Sequence, residues 1–145
     1  MEKHTYTVNV EWTSNRKGNL SSPELPSTIE VATPPEFDHG IPNIWSPEHL
    51  FTASVVSCYM TTFLAIAEYS KLDFINFKCE SEGILEKIDN KYLMTKIILK
   101  PTLTLDNQDK LEKAQRVLEK SEAACLISNS IKSEIELKTL INIEN

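Results

Sequence analysis

The chain has 145 residues, of which 41% are hydrophobic and 25% are charged, a balance typical of one folded globular domain rather than a disordered segment. Its formal net charge of −6 argues against nucleic-acid binding, which normally requires a basic face. The length predicts a single domain over residues 1–145. The polar N-terminus lacks the apolar core of a secretion signal, so we expect the protein in the cytoplasm.

Three strands are predicted in the first part of the chain. Polar and apolar residues alternate over residues 4–13, which is typical of a half-buried strand. Residues 14–19 form a turn-like segment, a short strand follows at Leu20, and a third strand at Thr28–Ala32 completes a meander. The apolar side of the first strand consists of Tyr6, Val8, Val10 and Trp12.

A long helix is predicted after a proline-rich loop over residues 34–44. Ser46 is suited to cap the helix, Pro47 to occupy its first position and Glu48 to lie in its first turn. The helix extends to about Ser70 and is apolar nearly all round, which predicts a central core element rather than a surface helix.

The same helix contains an uncharged stretch from Leu50 through Ala67, which reaches the lower length limit of a membrane-spanning helix. Several hydroxyl side chains lie within this stretch, and the flanking segments alternate in polarity as strands of a water-soluble sheet do. We therefore predict a buried core helix and no membrane association.

The second half of the chain predicts a hairpin, a helix and a last strand. The hairpin joins residues 72–88 to residues 92–105 through a turn at residues 89–91. Asp106 is predicted to cap an amphipathic helix that ends near Ala124, and residues 131–143 form the last strand. The order β-β-β-α-β-β-α-β predicts an α+β fold with a largely antiparallel sheet.

Cysteines are the main candidates for chemistry, and three are too few for a disulfide scaffold. Cys58 lies midway along the first helix and Cys125 closes the second, 67 residues later. The two sulfurs would meet only if both helices pack together, so a reactive pair and buried, unreactive thiols both remain open. Cys79 lies within a strand and is interpreted as structural.

The opening of the long helix resembles the OsmC/Ohr family of thiol peroxidases. The matching pattern is the Pro-Glu pair within residues 46–51, followed by a Ser-Cys pair that ends at Cys58. Cys125, with Ser128 and Asn129 after it, is similar to the second cysteine motif of the family. Arg16 resembles the arginine of the first turn, whereas Leu126 occupies a position where the peroxidase branches often carry proline.

This resemblance implies a two-layer α+β fold, with largely antiparallel sheets packed around a long central helix in an intertwined homodimer. It also implies reduction of organic hydroperoxides or hydrogen peroxide, without metal, flavin or haem. Cys58 would be the peroxidatic cysteine and Cys125 the resolving one, while Arg16 and Glu48 form the charged pair that organises the site. An external dithiol would reopen the Cys58–Cys125 disulfide.

Other interpretations of these residues stay open. Arg16 in a turn can be a solvated charge, and Glu48 stabilises a helix N-terminus without any catalysis. Glu48 and Cys58 are separated by about 15 Å along one helix, so a Glu48 that serves the Cys58 site would come from the other subunit of a dimer. A dimeric protein that binds a small ligand, or senses redox state without peroxidase turnover, is the alternative function.

Overall fold

The computed structural model describes residues 2–144, which form two compact units. The first unit ends at Leu50, and the second begins at Phe51. The expected single domain over residues 1–145 stays a prediction.

The first unit contains an antiparallel meander of β1 (Asn9–Ser14), β2 (Lys17–Ser22) and β3 (Leu25–Ala32). The three predicted strands are present, but the first begins at Asn9 rather than at residue 4. The expectation that its apolar side is half-buried is wrong within one chain, because each of these side chains is between 66% and 84% exposed. They are Tyr6, Val8, Val10 and Trp12.

The long helix α1 (Pro47–Tyr69) begins where the sequence predicts. The Ser46 hydroxyl accepts a hydrogen bond from the His49 N–H at 3.1 Å, and Glu48 lies in the first turn, as expected. One stripe of the helix is buried, with residues spaced four apart, while Met60 and Leu64 are about 40% exposed. The buried stripe consists of Val55, Tyr59, Phe63 and Ala67.

The predicted core helix is therefore present, but within a single chain only one face of α1 is buried. The helix α1 is also long enough to cross a membrane, and its mean hydropathy of 1.7 is high enough. Core helices of soluble proteins meet the same criterion, so the absence of membrane association stays a prediction.

The second unit contains a sheet of β4 (Asn76–Ile88), β5 (Lys91–Leu105), β6 (Glu134–Leu137) and β7 (Leu140–Ile143). The strands β4 and β5 form the predicted hairpin, and its two turn residues, Asp89 and Asn90, both have positive φ.

The predicted single strand over residues 131–143 is wrong, because it divides into β6 and β7. Both strands pair with β5 in parallel, β6 as far as Leu99 and β7 from Thr102 onward. The gap between them coincides with Pro101, which has no N–H to donate to a neighbouring strand.

The second helix, α2 (Leu111–Ala124), ends where predicted but begins later. A 3-10 turn at Gln108–Lys110 precedes it, and the Asn107 side chain accepts the Asp109 N–H at 2.8 Å to cap that turn. The cap predicted at Asp106 is wrong, because the Asp106 carboxylate instead forms an ion pair with Lys110 at 2.9 Å.

The core of the second unit lies between its helices and one face of β5. Alternate β5 residues are fully buried, as the two-residue period of a strand requires. They pack with the buried stripes of α1 and α2, and the ring of Phe63 stacks on Phe77 at a centroid distance of 4.5 Å. Two sheets and two helices of this kind confirm the predicted α+β class.

Candidate active site

Cys58 lies on α1 next to the buried stripe, and its side chain is partly exposed. Its sulfur is 3.9 Å from the hydroxyl oxygen of Thr62, one helical turn later. The helix therefore holds the Cys58 thiol at a protein surface, with a hydroxyl beside it.

Cys125 follows the last residue of α2 and is fully buried. The chain turns sharply here, because the Asn129 N–H donates to the Cys125 carbonyl at 3.0 Å and the Ser130 N–H donates to the Ile127 carbonyl at 3.0 Å. A short 3-10 helix over Ser128–Ser130 completes this turn. The turn leaves the N–H groups of residues 126–128 directed at the two thiols.

The thiols of Cys58 and Cys125 meet in the second unit as two free cysteines that hydrogen-bond to each other. Burial alone would raise the pKa of Cys58, but hydrogen bonds from Ile127 N–H, the Cys125 thiol, the Thr62 hydroxyl and Leu126 N–H outweigh burial and lower it.

Cys125 has the opposite shift. Burial raises the pKa of Cys125, and the neighbouring Cys58 raises it further. The hydroxyl and N–H of Ser128 oppose this rise without cancelling it. The pair therefore consists of one accessible thiol that ionises readily and one enclosed thiol that holds its proton, which is the asymmetry that a nucleophile and its later partner need.

Arg16 and Glu48 both belong to the first unit. Arg16 is exposed in the turn between β1 and β2, where its carbonyl accepts the Thr33 N–H at 3.1 Å. It lines a cleft of about 410 Å³ whose walls are largely apolar. Glu48 is half-buried in the first turn of α1. The part that either residue plays in the Cys58 site stays a prediction.

Sequence reasoning missed Thr62 and the amide groups of residues 126–128. Thr62 could have been found, because residues four apart share one face of a helix. The amides carry no sequence signal, because every residue except proline has one and only the path of the turn aims them.

Cys79 differs from the other two cysteines. Its side chain packs against the core of the second unit, and burial raises the pKa of the Cys79 thiol to about 11. Among residues 2–144, no group of three His, Cys, Asp or Glu side chains lies together where it could hold a metal ion. Cys58 and Cys125 therefore form the candidate reactive pair of the described second unit.

Comparison with known proteins assigns the chain to a protein family. The model of the OsmC-like protein family matches residues 40–140, about two-thirds of the chain. The chain belongs to the OsmC-like family. The part that matches this OsmC-like family contains Glu48, Cys58 and Cys125, whereas Arg16 precedes it.

Similar proteins also share the fold. The uncharacterized protein YmaD of Bacillus subtilis (strain 168) is 29% identical over 143 residues, covering 95% of this chain and 93% of its own. An OsmC-like protein of unknown function from Vibrio cholerae superposes with a TM-score of 0.85 at 21% identity, over 95% of this chain and all of the other.

An organic hydroperoxide resistance protein, OsmC, from Legionella pneumophila superposes with a TM-score of 0.78 at 21% identity, over 99% of this chain and all of the other. These likenesses confirm the predicted OsmC-like fold.

Proposed function

We propose that this protein is a cysteine-based peroxidase that reduces organic hydroperoxides or hydrogen peroxide, with Cys58 as the peroxidatic and Cys125 as the resolving cysteine. The observation that carries the proposal is the meeting of these two thiols with opposite pKa shifts. Membership of the OsmC-like family supports it, as does the Legionella relative that is named for organic hydroperoxide resistance.

The proposed cycle uses thiol chemistry alone. The Cys58 thiolate attacks one peroxide oxygen, the O–O bond breaks, and the remaining oxygen leaves with a proton as alcohol or water. Cys58 is then a sulfenic acid. The Cys125 sulfur attacks the Cys58 sulfur, the S–O bond breaks and water leaves, which forms the disulfide. An external dithiol then reduces the disulfide by thiol exchange.

Arg16 and Glu48 are proposed to organise this site as a charged pair, with Glu48 contributed by the other subunit of a homodimer. Two apolar surfaces in each chain support a dimer. One is the exposed side of β1, which includes Val10 and Trp12, and the other is the outer face of α1 around Met60 and Leu64. Exposed apolar surfaces of this kind usually mark an interface.

The cytoplasm is the proposed location, because three free cysteines are stable in a reducing compartment. The dithiol reductant that the cycle needs is also available there. An enzyme exported with the same residues would have to obtain that reductant elsewhere.

The decisive experiment adds one equivalent of an organic hydroperoxide to the reduced protein and follows thiol loss. Rapid loss of two thiols is expected in the parent protein and in the Cys79→Ser control, whose substituted thiol lies outside the pair. Cys125→Ser should accumulate a Cys58 sulfenic acid, and Cys58→Ser should lose almost no thiol.

Slow oxidation that does not depend on Cys58 would contradict the peroxidase and favour a protein that binds a small ligand. Rapid formation of the disulfide without turnover, at saturating hydroperoxide and dithiol, would favour a redox sensor. Both outcomes use the same preparations.

A further inference from the structure

Ser128 begins the 3-10 helix that follows Cys125, and it is only 8% exposed. Its hydroxyl oxygen is fully buried and has no hydrogen-bond partner of normal geometry among the residues from 2 to 144. Buried hydroxyls are nearly always hydrogen-bonded in folded proteins, so an unpartnered one calls for an explanation in the chemistry of its surroundings.

The explanation lies in the neighbouring sulfur. Both the hydroxyl and the N–H of Ser128 face the Cys125 thiol and favour its anionic form. A neutral thiol is a weak hydrogen-bond acceptor, whereas a charged acceptor binds a donor more strongly. The Ser128 hydroxyl therefore gains a strong partner only when Cys125 loses its proton.

We propose that Ser128 is a positioning residue for the resolving step, holding the Cys125 thiolate as it attacks the oxidised Cys58. The inference rests on the proposed function. In this step a bond forms between the two sulfurs, the S–O bond of the sulfenic acid breaks, and the oxygen leaves as water with the proton from Cys125. No further oxidant or reductant takes part.

The chain offers a matched control in Ser130. This serine lies in the same turn, but its hydroxyl is exposed and donates to the Leu126 carbonyl at 2.7 Å. Within the described part of the chain, Cys58 is the titratable group that acts on Cys125 from the packed helix α1. A pH profile of the resolving step therefore reports on Cys125 once Cys58 has been converted to a disulfide.

The experiment uses dithionitrobenzoate in a Cys79→Ser background. Attack by Cys58 releases one coloured thiolate and leaves a mixed disulfide, and attack by Cys125 on that disulfide releases the second. In Ser128→Ala we expect the first release to be unchanged and the second to slow about tenfold at neutral pH, the effect of one pKa unit on the thiolate fraction. The deficit should shrink as pH rises.

Ser128→Thr and Ser130→Ala should both behave as the parent does, because the first keeps a hydroxyl at position 128 and the second keeps Ser128. Ser128→Gly removes the hydroxyl without adding a methyl group and provides a second test should the alanine variant fold poorly. An unchanged second release in either variant that lacks the hydroxyl, or a loss equal at every pH, would overturn the proposal.

The two hypotheses fail separately. A protein whose second release depends on Ser128, but which does not react with hydroperoxide, contradicts the peroxidase and leaves the role of Ser128 intact. A protein that reduces hydroperoxide, but whose second release is the same with and without the Ser128 hydroxyl, contradicts only the inference about Ser128.

Discussion

The thiols of Cys58 and Cys125 hydrogen-bond to each other, and the contact acts on both in opposite directions. Cys125 helps to lower the pKa of Cys58, whereas Cys58 helps to raise the pKa of Cys125. The Cys58 thiol is thus made more acidic by the Cys125 thiol, and Cys125 keeps its own proton. The relationship makes the ionisation of Cys58 depend on the identity of residue 125.

The pH dependence of Cys58 follows from this contact. Because the pKa of Cys58 is lowered, its alkylation rate should rise with pH to a midpoint below that of an ordinary thiol. Cys125→Ala removes a donor and should raise this midpoint by about one pKa unit or less, the worth of one hydrogen bond. Cys125→Ser keeps a donor and should retain more of the shift.

The measurement is the rate of iodoacetamide alkylation against pH in a Cys79→Ser background, with the modified residue located by peptide mass. A midpoint in the parent at or above that of an ordinary thiol would contradict the lowered pKa. Midpoints in the alanine and serine variants that both equal the midpoint of the parent would remove residue 125 from the explanation.

The N–H group of Leu126 can be tested by proline. This N–H helps to lower the pKa of Cys58, and a proline has no N–H to offer. Cys125 already has the extended conformation, with ψ of 115°, that a residue before proline requires. Leu126→Pro should therefore fold, raise the pKa of Cys58 by about half a unit and slow its alkylation at neutral pH.

Leu126→Ala is the control for this change, because it removes the same exposed side chain and keeps the N–H. A similar shift in both variants would show that the side chain, rather than the amide, acts on Cys58. The midpoints come from the same alkylation assay.

The proposed contribution of Glu48 across a dimer predicts complementation. Glu48→Gln should reduce the rate of hydroperoxide reduction, and Cys58→Ser should abolish it. A mixed dimer of the two variants then has one Cys58 that is served by the intact Glu48 of the other chain. Activity should rise above that of Glu48→Gln alone after the two variants are unfolded together and refolded.

The mixture is compared with each variant refolded alone, and dimer formation is followed by sedimentation. Failure of a mixed dimer to regain activity would place Glu48 outside the site of the partner. A monomeric parent protein would contradict the shared site altogether.

The end of α1 offers a stabilising change. Lys71 has a φ of 57° where helices usually place glycine, and the Leu72 N–H donates to the Ala67 carbonyl at 2.8 Å, as in a Schellman motif. Lys71→Gly should raise the free energy of unfolding by roughly 0.5–1 kcal/mol, because glycine adopts this conformation without steric cost. Urea unfolding measures the change. Lys71→Ala should give little or no gain, and an equal gain there would assign the effect to the lost lysine side chain.

The close approach of α1 to β4 predicts a destabilising change. A methyl group on Gly83 would overlap the Thr52 hydroxyl and lie 2.8 Å from the Met94 side-chain methyl. Gly83→Ala should lower the free energy of unfolding by about 1–3 kcal/mol, the usual effect of overpacking. Adding Thr52→Ala should recover part of this loss in urea unfolding. An unchanged free energy of unfolding in Gly83→Ala would mean that α1 moves away from β4 without cost.

The sequence alone determined the local elements and the residues capable of chemistry. Ser46 and Pro47 define the start of α1 because a helix end needs a side-chain acceptor and tolerates a missing N–H. Asp89 and Asn90 define the β4–β5 turn because they tolerate positive φ. The cysteine motifs around Cys58 and Cys125 indicated the family for the same local reason.

Features that depend on distant partners could be seen only in the folded chain. The division of the last strand into β6 and β7 follows from the path of β5 around Pro101. The outer face of α1 is exposed because nothing in the described part of the second unit packs against it. The meeting of Cys58 with Cys125 and the unpartnered hydroxyl of Ser128 arise from packing between α1 and the end of α2. The periodicity of a sequence indicates which side of a helix or strand is apolar. Which neighbour covers that apolar side depends on long-range contacts.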